Sequence, residues 1–281
     1  MRSIHSFIQY LLGLPKFPGR DFLIEKLPKW FLKKPKGKTI IQTRFGFKIK
    51  IDPLFDKNIE NVIYERGVYE LGTVSTIQQY LKPGDSFVDA GANIGFLSLL
   101  ASSIVGPKGK VYAFEPVVDT FQILQENKSM NGFEQLIIHP FGLGEIEESV
   151  TIYPEKENRG GASISHKHGT EGEQIKIKTL DGLELSAVKM IKIDVEGYEM
   201  NVLTGARNTI LKDQPILIVE FSSNRNNTHD PLELYQWLQE LNVYGFYKLK
   251  WGKERRSSLI PIYKTEDLPE HDNLICLPIN R

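Results

Sequence analysis

The chain has 281 residues, with 35 acidic and 35 basic side chains, and 41% of its residues are hydrophobic. This balance is typical of a soluble globular protein with one large domain. The one cysteine, Cys276, excludes an internal disulfide and a cysteine cluster for a metal. Its setting, "NLICLPI", predicts a buried strand, and a reducing compartment, the cytoplasm, is expected.

The charge is divided unevenly along the chain. Residues 1–50 carry 12 basic and 2 acidic side chains, so a basic arm precedes a more acidic remainder. One interpretation is peripheral contact of this arm with an anionic surface such as a membrane. The alternative is a solvated arm that packs its aromatic side chains on the main domain. No nucleic-acid partner is expected, and no segment has the roughly 18–20 apolar residues of a membrane span.

The first predicted element is a β-hairpin. The stretch "TIIQTRFGFKIKID" (39–52) alternates apolar and polar residues around a glycine, as hairpin strands do. Together the arm and the hairpin form a predicted N-terminal region, 1–58. An α/β domain is predicted over 59–281, and its first helical stretch is broken by Pro83 and Gly84 in "KPGD".

Short apolar strands then alternate with helices. The strands are "SFVDAG", "KVYAFEP", "QLIIHPFGLG", "VKMIKIDVEG" and "PILIVEF", and each of the first two is followed directly by a helical stretch. This rhythm predicts a mostly parallel sheet covered by helices on both faces. The last helix is predicted over "PLELYQWLQELNVYGF" (231–246).

One segment, 149–180, interrupts the rhythm. It has two alternating strands around a polar, glycine-rich centre, which predicts a β-hairpin insertion. A long insertion after a strand's carboxyl end lies over the ligand crevice of such a sheet, so a lid is one interpretation. A solvated loop is the other. His166, His168, Tyr153 and Arg159 are its candidates for contact with a substrate.

Four of the five predicted strands end in carboxylates. The third instead runs into an aromatic residue and a glycine. In order along the chain, the residues at the five ends are Asp89, Glu115, Phe141 with Gly142, Asp194 with Glu196, and Glu220. Because ligands bind outside the carboxyl ends of parallel strands, these side chains are the candidates for a site.

The turn after Asp89 does not suit a dinucleotide. Counted from Gly91, the second and third glycines of the G-x-G-x-x-G fingerprint are replaced by Asn93 and Phe96. An aspartate here would also repel a pyrophosphate. S-adenosylmethionine has cationic groups and no phosphate, and Glu115 stands where an acid binds ribose hydroxyls. The alternative is structural: the glycines permit close packing, and Glu115 caps the next helix.

The motifs "YELGT", "DAGANIG", "VYAFEP", "NKSMN", "TLDGL", "KIDVEGYE" and "ILIVEF" occur in the order seen in one enzyme family. Over roughly residues 60–222 the chain resembles the FkbM family of S-adenosylmethionine-dependent methyltransferases. The resemblance implies a class I methyltransferase (Rossmann-like) sheet of seven strands with an antiparallel C-terminal strand. It also implies methyl transfer to a hydroxyl oxygen of a sugar or natural product, a small-molecule acceptor.

The resemblance assigns cofactor-binding roles to particular residues. The methionine part of the cofactor would be held by Asp89, Gly91, Asn93 and Gly95, and the ribose by Glu115. Phe141 and Gly142 would lie on the adenine side, and Glu70 would belong to the cofactor site or to the helix that covers it. An exposed helix acid is the alternative for Glu70, and plain packing is the alternative for Phe141.

Asp194 and Glu196 are the candidates for catalysis. On an extended strand end they point the same way, and two close carboxylates raise one pKa, which makes a better base. With Glu220 they could instead hold Mg²⁺, which prefers oxygen ligands. Asp194 and Glu220 would be the metal ligands, an arrangement similar to catechol O-methyltransferase. In a third interpretation, Glu196 only orders the turn before the next helix.

Two other classes of function stay open from the residues alone. One is a nicotinamide-dependent oxidoreductase on a Rossmann sheet, against which the broken glycine fingerprint argues. The other is a non-catalytic module with a relic pocket, which would bind membrane or nucleic acid through the basic arm. The acceptor and the oligomeric state are not encoded in any motif of the sequence.

Overall fold

The computed structural model describes residue 19 and residues 37–164, 171–222 and 230–279. The strands in chain order are β1 (Thr39–Gln42), β2 (Lys48–Ile51), β3 (Ser86–Ala90), β4 (Lys110–Phe114), β5 (Leu136–His139), β6 (Gly142–Leu143), β7 (Glu148–Glu155), β8 (Asn158–Ser163), β9 (Glu173–Lys178), β10 (Val188–Ile193), β11 (Ile216–Ser222), β12 (Tyr244–Leu249), β13 (Leu259–Pro261) and β14 (His271–Pro278). The helices are α1 (Ile59–Arg66), α2 (Leu71–Tyr80), α3 (Phe96–Val105), α4 (Val118–Ser129), α5 (Glu199–Thr204), α6 (Arg207–Asp213) and α7 (Pro231–Glu240).

The central sheet has eight strands in the order β13-β12-β14-β11-β10-β3-β4-β5. From β5 to β11 the neighbours pair in parallel, and β14, β12 and β13 add antiparallel pairs at the other side. The predicted Rossmann-like class is confirmed, with β13 as one strand more than the seven expected. The chain builds outward from β3 in one direction and from β10 in the other. The carboxyl ends of β3 and β10 therefore flank the switch point, where ligands bind in open sheets.

Two apolar layers cover the faces of this sheet. On one face α2 and α3 pack with the N-terminal hairpin, and all but two residues of α3 are buried, which explains its nearly continuous apolar sequence. On the other face α5, α6 and α7 pack through residues such as Leu203, Ile210 and Leu238. Cys276 is buried in β14, as its apolar setting predicts.

The hairpin of β1 and β2 is part of the main body. Its buried side chains join the same core as α3, and they are Ile41, Phe47, Ile49 and Ile51. The free edge of β2 is covered by two asparagines from the end of α4. Asn131 Oδ1 accepts from the Lys48 N–H at 2.8 Å, and Asn127 Oδ1 accepts from the Lys50 N–H at 2.6 Å. The amides of these asparagines thus take the place of a third strand.

Two predicted elements differ in the structure. The predicted helix 231–246 ends at Glu240, and Tyr244–Leu249 is a strand of the central sheet. Asn242, with a φ of 53°, turns the chain between them in the left-handed region. The insertion has three strands rather than two, in a separate sheet ordered β6-β9-β7-β8.

The candidate histidines His166 and His168, and nearly all of the basic arm before residue 37, lie outside the described residues. No helix in the described ranges is both long and apolar enough to cross a bilayer.

Candidate active site

A large cleft opens at the carboxyl ends of β3, β4, β10 and β11. It encloses about 1080 Å³ of empty space, including its open mouth. The turn after β3 forms its floor, and the insertion forms one wall through Gly160, Ala162 and Ile164. The predicted site residues that line it are Asp89, Gly91, Asn93, Glu115, Gly142, Asp194, Glu196 and Glu220.

Glycine is required in the turn after β3. Gly91 has a φ of 77°, and a Cβ there would lie 1.9 Å from the backbone oxygen of Asp194. The turn is held by hydrogen bonds from the Gly91 N–H to Phe114 O at 3.1 Å and from the Asn93 N–H to Glu115 Oε2 at 2.9 Å. Gly95 lies outside the cleft lining, and a Cβ there would meet the Leu124 side chain at 2.4 Å. The absence of a side chain at Gly95 serves helix packing.

Asp89 presents an acceptor with no hydrogen-bond partner. Its side chain is fully buried, and Oδ2 accepts from the Ser98 hydroxyl at 2.5 Å. Oδ1 makes no hydrogen bond and lies 3.8 Å from Lys192 Nζ. Burial raises the pKa of Asp89, although the Lys192 charge opposes this. A buried acceptor of this kind suits a ligand with a cationic donor group.

Glu115 lies at the end of β4 and is 6% exposed. Its two oxygens accept from the backbone N–H groups of Asn93 at 2.9 Å and Val117 at 3.0 Å. The bond to Val117 fixes the residue just before α4 and does not involve an N–H of the helix itself. A carboxylate has about four lone-pair sites, so both oxygens can still accept from ligand hydroxyls. Burial raises the pKa of Glu115 to about 7.

Phe141 and Gly142 have different environments. Gly142 lines the cleft, whereas Phe141 does not. The Phe141 ring packs 5.6 Å from the Phe114 ring and 5.1 Å from the His139 ring, between ring centroids, with Lys178 Nζ 5.1 Å away. Phe141 thus packs against its neighbours in this structure, and its role beside the cofactor stays a prediction.

The carboxylates after β10 and at the end of β11 form one cluster. One oxygen from each of Asp194, Glu196 and Glu220 lies within 4.8 Å of the others. Lys192, 5% exposed, places its Nζ 3.2 Å from Asp194 Oδ2. Glu196 has a φ of 53°, a conformation that disfavours ordinary side chains and is common at functional sites.

The three carboxyl groups of this cluster differ in proton affinity. Burial disfavours the charged form of Asp194 and by itself would raise its pKa. The ammonium groups of Lys192 and Lys253 have a larger, opposite effect and hold the pKa of Asp194 well below its usual range. The residue Glu196 is exposed as a whole, yet its carboxyl faces the crowded cleft. Desolvation there, followed by the charge of Asp194, raises the pKa of Glu196 to about 8. The charge of Asp194, followed by burial, raises the pKa of Glu220 to about 9.

Sequence reasoning missed two lysines of the cleft. Lys192 carried a usable signal, since it stands two positions before Asp194 on a strand and must share its face. Lys253 carried none, because it follows the last predicted helix in a segment without a motif. Its Nζ lies 2.8 Å from Glu220 Oε1 and 3.2 Å from Glu70 Oε1. Glu70, 2% exposed, is thus placed behind Lys253 rather than in the cleft lining.

Arg159 joins the insertion to the N-terminal part of the domain. Its Nε lies 2.7 Å from Glu60 Oε1, and these two side chains are only 10% and 1% exposed. The Arg159 N–H also donates to Asp56 Oδ2 at 3.1 Å, and its guanidinium lies 4.3 Å from the centre of the Phe55 ring. Arg159 itself lines the cleft, so this ion pair fixes one side of the cleft's mouth.

A mixed sheet of this order, a glycine turn without the dinucleotide fingerprint and an acid at the second strand end are the features expected of a Rossmann-like methyltransferase. Residues 89–246 match the family model described as the methyltransferase FkbM domain. That match covers more than half of the chain, and the chain belongs to this family. The sequence-based recognition of the FkbM methyltransferase family is therefore confirmed.

Relatives of known name share part of the chain. Methyltransferase 1 of Beauveria bassiana is 32% identical over 148 residues, which cover 44% of this chain and 59% of the fungal protein. Hexuronic acid methyltransferase AglP of Haloferax volcanii is 31% identical over 180 residues, 62% of this chain and 70% of the archaeal protein. The crystal structure of methyltransferase FkbM from Methylobacillus flagellatus superposes with a TM-score of 0.47 at 18% identity, over 76% of this chain and 52% of that one.

Proposed function

We propose that the protein is an S-adenosylmethionine-dependent O-methyltransferase that acts on a hydroxyl group of a sugar or natural product. The observation that carries the proposal is the division of one cleft into two halves. One half has the glycine turn with Asp89 and Glu115, and the other has the carboxylate cluster with its two lysines. A donor and an acceptor bound in these halves would face each other across the cleft.

The first half suits S-adenosylmethionine in charge and in hydrogen bonding. The unpartnered Oδ1 of Asp89 would accept from its ammonium group, and Glu115 would accept from its ribose hydroxyls. Gly91 leaves room for the backbone of the turn to approach Asp194. When bound, S-adenosylmethionine supplies an electrophilic methyl group, and the electron pair of the breaking carbon–sulfur bond stays on sulfur.

The second half suits deprotonation of an acceptor hydroxyl. A general base works best when its pKa lies near the working pH, and Glu196 meets this condition with a pKa of about 8. Glu196 would take the proton from the acceptor oxygen as that oxygen bonds to the methyl carbon. Asp194 would stay ionised, because Lys192 and Lys253 hold its pKa low, and its charge keeps Glu196 basic.

A sugar acid is the first acceptor to test. The relative from Haloferax volcanii is named for a hexuronic acid, and it is 31% identical to this chain. A hexuronic acid combines hydroxyl groups with a carboxylate, and the cleft offers cations to such a group in Arg159 and Lys192. This identity supports the choice of acceptor class and does not name the acceptor.

Calorimetric titration with S-adenosylmethionine and, separately, with NAD tests the cofactor. We expect micromolar binding of the first and none of the second. Transfer is then followed as S-adenosylhomocysteine released in the presence of glucuronic acid, galacturonic acid or the matching neutral sugars. Binding of NAD alone would refute the proposal, as would methyl transfer only to nitrogen acceptors.

Two further expectations stay predictions. One is a cytoplasmic location, and the other is contact of the basic arm with an anionic surface. Binding to anionic vesicles that weakens with salt would support the second, and equal binding to neutral vesicles would contradict it.

A further inference from the structure

Lys253 lines the acceptor half of the cleft, the half with the carboxylate cluster. It lies outside the segment that matches the family model, because that segment ends at residue 246. Its backbone is held on both sides. Its carbonyl oxygen accepts from the Gly72 N–H at 2.8 Å, and its N–H donates to Asp272 Oδ1 at 2.9 Å. The preceding Gly252 has a φ of 76°, and a Cβ there would lie 2.8 Å from Asp272 Oδ2. The lysine therefore enters the cleft from a turn fixed on α2 and β14.

The ammonium group of Lys253 lies among carboxylates. It donates to Glu220 Oε1 at 2.8 Å, and it forms an ion pair with Glu70 Oε1 at 3.2 Å that lacks hydrogen-bond geometry. Neither oxygen of the buried Glu70 has a hydrogen-bond partner, so its charge is balanced by this ion pair. An ammonium group has three donor hydrogens. One hydrogen bond to Glu220 leaves donor capacity for a ligand oxygen in the cleft that Lys253 lines.

A divalent cation held by the carboxylate cluster would lie close to this ammonium group. Oxygens of Asp194, Glu196 and Glu220 lie within 4.8 Å of one another, a spacing compatible with one shared Mg²⁺. Bound to Glu220 at about 2.1 Å, such an ion would lie within about 5 Å of Lys253 Nζ. A second ammonium group, that of Lys192, lies 3.2 Å from Asp194 Oδ2. The carboxylate oxygens are suitable ligands for a hard cation such as Mg²⁺. The ammonium groups of Lys192 and Lys253, however, already balance part of their negative charge.

We infer that Lys253 takes the place of a divalent cation: its ammonium group binds the acceptor oxygen, and methyl transfer needs no metal. This inference rests on the proposed function. The acceptor oxygen gains negative charge as Glu196 removes its proton, and a preorganised ammonium group would stabilise that charge. In place of the Mg²⁺ that the carboxylate cluster could hold, the positive charge comes from a side chain that sequence reasoning missed.

The experiment compares wild type with Lys253→Met, Lys253→Arg and the control Lys250→Met. Lys250 is exposed, on the same turn, and outside the cleft lining. Wild type and control should show no Mn²⁺ binding in electron paramagnetic resonance. Each should transfer methyl groups as fast in the presence of a chelator as in its absence. Lys253→Met should lose about 100-fold or more in kcat/KM, with its S-adenosylmethionine affinity changed only a few-fold. It should also bind Mn²⁺, because the carboxylates have lost a cation.

The outcomes separate the inference from the proposed function. Tight Mn²⁺ binding by wild type together with loss of transfer on chelation would overturn the inference, as would full activity of Lys253→Met. Lys253→Arg, which keeps the charge, should retain part of the activity and should not bind Mn²⁺. If wild type transfers no methyl group, the proposed function fails. If Lys253→Met melts at a much lower temperature than wild type, its loss of activity cannot be used, and the inference is tested with Lys253→Arg. Mn²⁺ binding by Lys253→Arg would then contradict the inference.

Discussion

The pairing of Asp194 with Glu196 makes the sharpest prediction for the reaction. If the negative charge of Asp194 is what keeps Glu196 basic, then Asp194→Asn must lower the pKa of Glu196. The carboxylate oxygens lie within 4.8 Å of each other. At this distance one unit charge contributes about 3.5 kcal/mol at an effective dielectric constant of about 20, and about 0.9 kcal/mol in bulk water.

These limits correspond to shifts of about 2.5 and about 0.6 pKa units. Glu196 is exposed at the mouth of the cleft, so water screens part of the interaction and an intermediate shift of about 1 to 2 units is expected. Starting from a pKa of about 8 in the wild type, the group should titrate near or below neutrality in the variant. Its proton would then be lost at lower pH, because the repulsion that favours the neutral form is gone.

Carbon-13 NMR of glutamate side-chain carboxyls measures this pKa without knowledge of the acceptor, and Glu196→Gln identifies the resonance. With an active acceptor, the rising limb of kcat/KM against pH should move in the same direction. Asp119→Asn, an exposed change on α4 outside the cleft, is the control and should leave the titration unchanged. An ordinary pKa of Glu196 in the wild type, or no shift in Asp194→Asn, would refute the reasoning.

Three further changes test other parts of the site. Glu115→Gln should weaken S-adenosylmethionine binding by about 5- to 150-fold in calorimetry, since an amide NH₂ would face a backbone N–H; unchanged affinity would contradict the ribose role. Gly91→Ala should lower the melting temperature by about 2–4 °C per kcal/mol of strain, because a Cβ would meet the backbone oxygen of Asp194, just after β10, at 1.9 Å. Arg159→Ala removes the buried ion pair with Glu60 and should speed hydrogen exchange of the insertion strands and release of the cofactor. Lys57→Ala breaks an exposed ion pair of the same insertion, and it should change the free energies that govern hydrogen exchange and cofactor release by less than about 1 kcal/mol. Equal effects of Arg159→Ala and Lys57→Ala would argue against a lid.

The sequence predicts the cleft well because parallel strands bring their carboxyl ends to one edge. Asp89, Glu115, Asp194 and Glu220 meet there although more than 100 residues separate the first from the last. That convergence follows from topology alone, and topology follows from the alternation of apolar strands with helices.

What the sequence does not predict depends on contacts between distant segments. Lys253 reaches the cleft because β12 pairs with β14, and an antiparallel pairing of this kind leaves no local motif. The resemblance assigns Phe141 to the adenine side, and the sequence alone does not show that its ring packs on Phe114 outside the cleft lining. Its role beside the cofactor stays a prediction. The last helix was extended too far because "VYGF" is apolar in either a helix or a strand.

The two asparagines that cover the edge of β2 have a consequence for fragments of this protein. With its N–H groups bonded to the two asparagines, this strand offers few free N–H groups to another chain, which protects the exposed side of the hairpin from intermolecular pairing.

The four buried hairpin side chains each contribute about 1.5–3 kcal/mol by burial, a sum comparable to the whole stability of a typical domain. An expression fragment cut to the family boundaries would lose the hairpin at one end and Lys253 at the other. The unit that folds and works is therefore wider than the unit of family membership, and it must begin before Thr39.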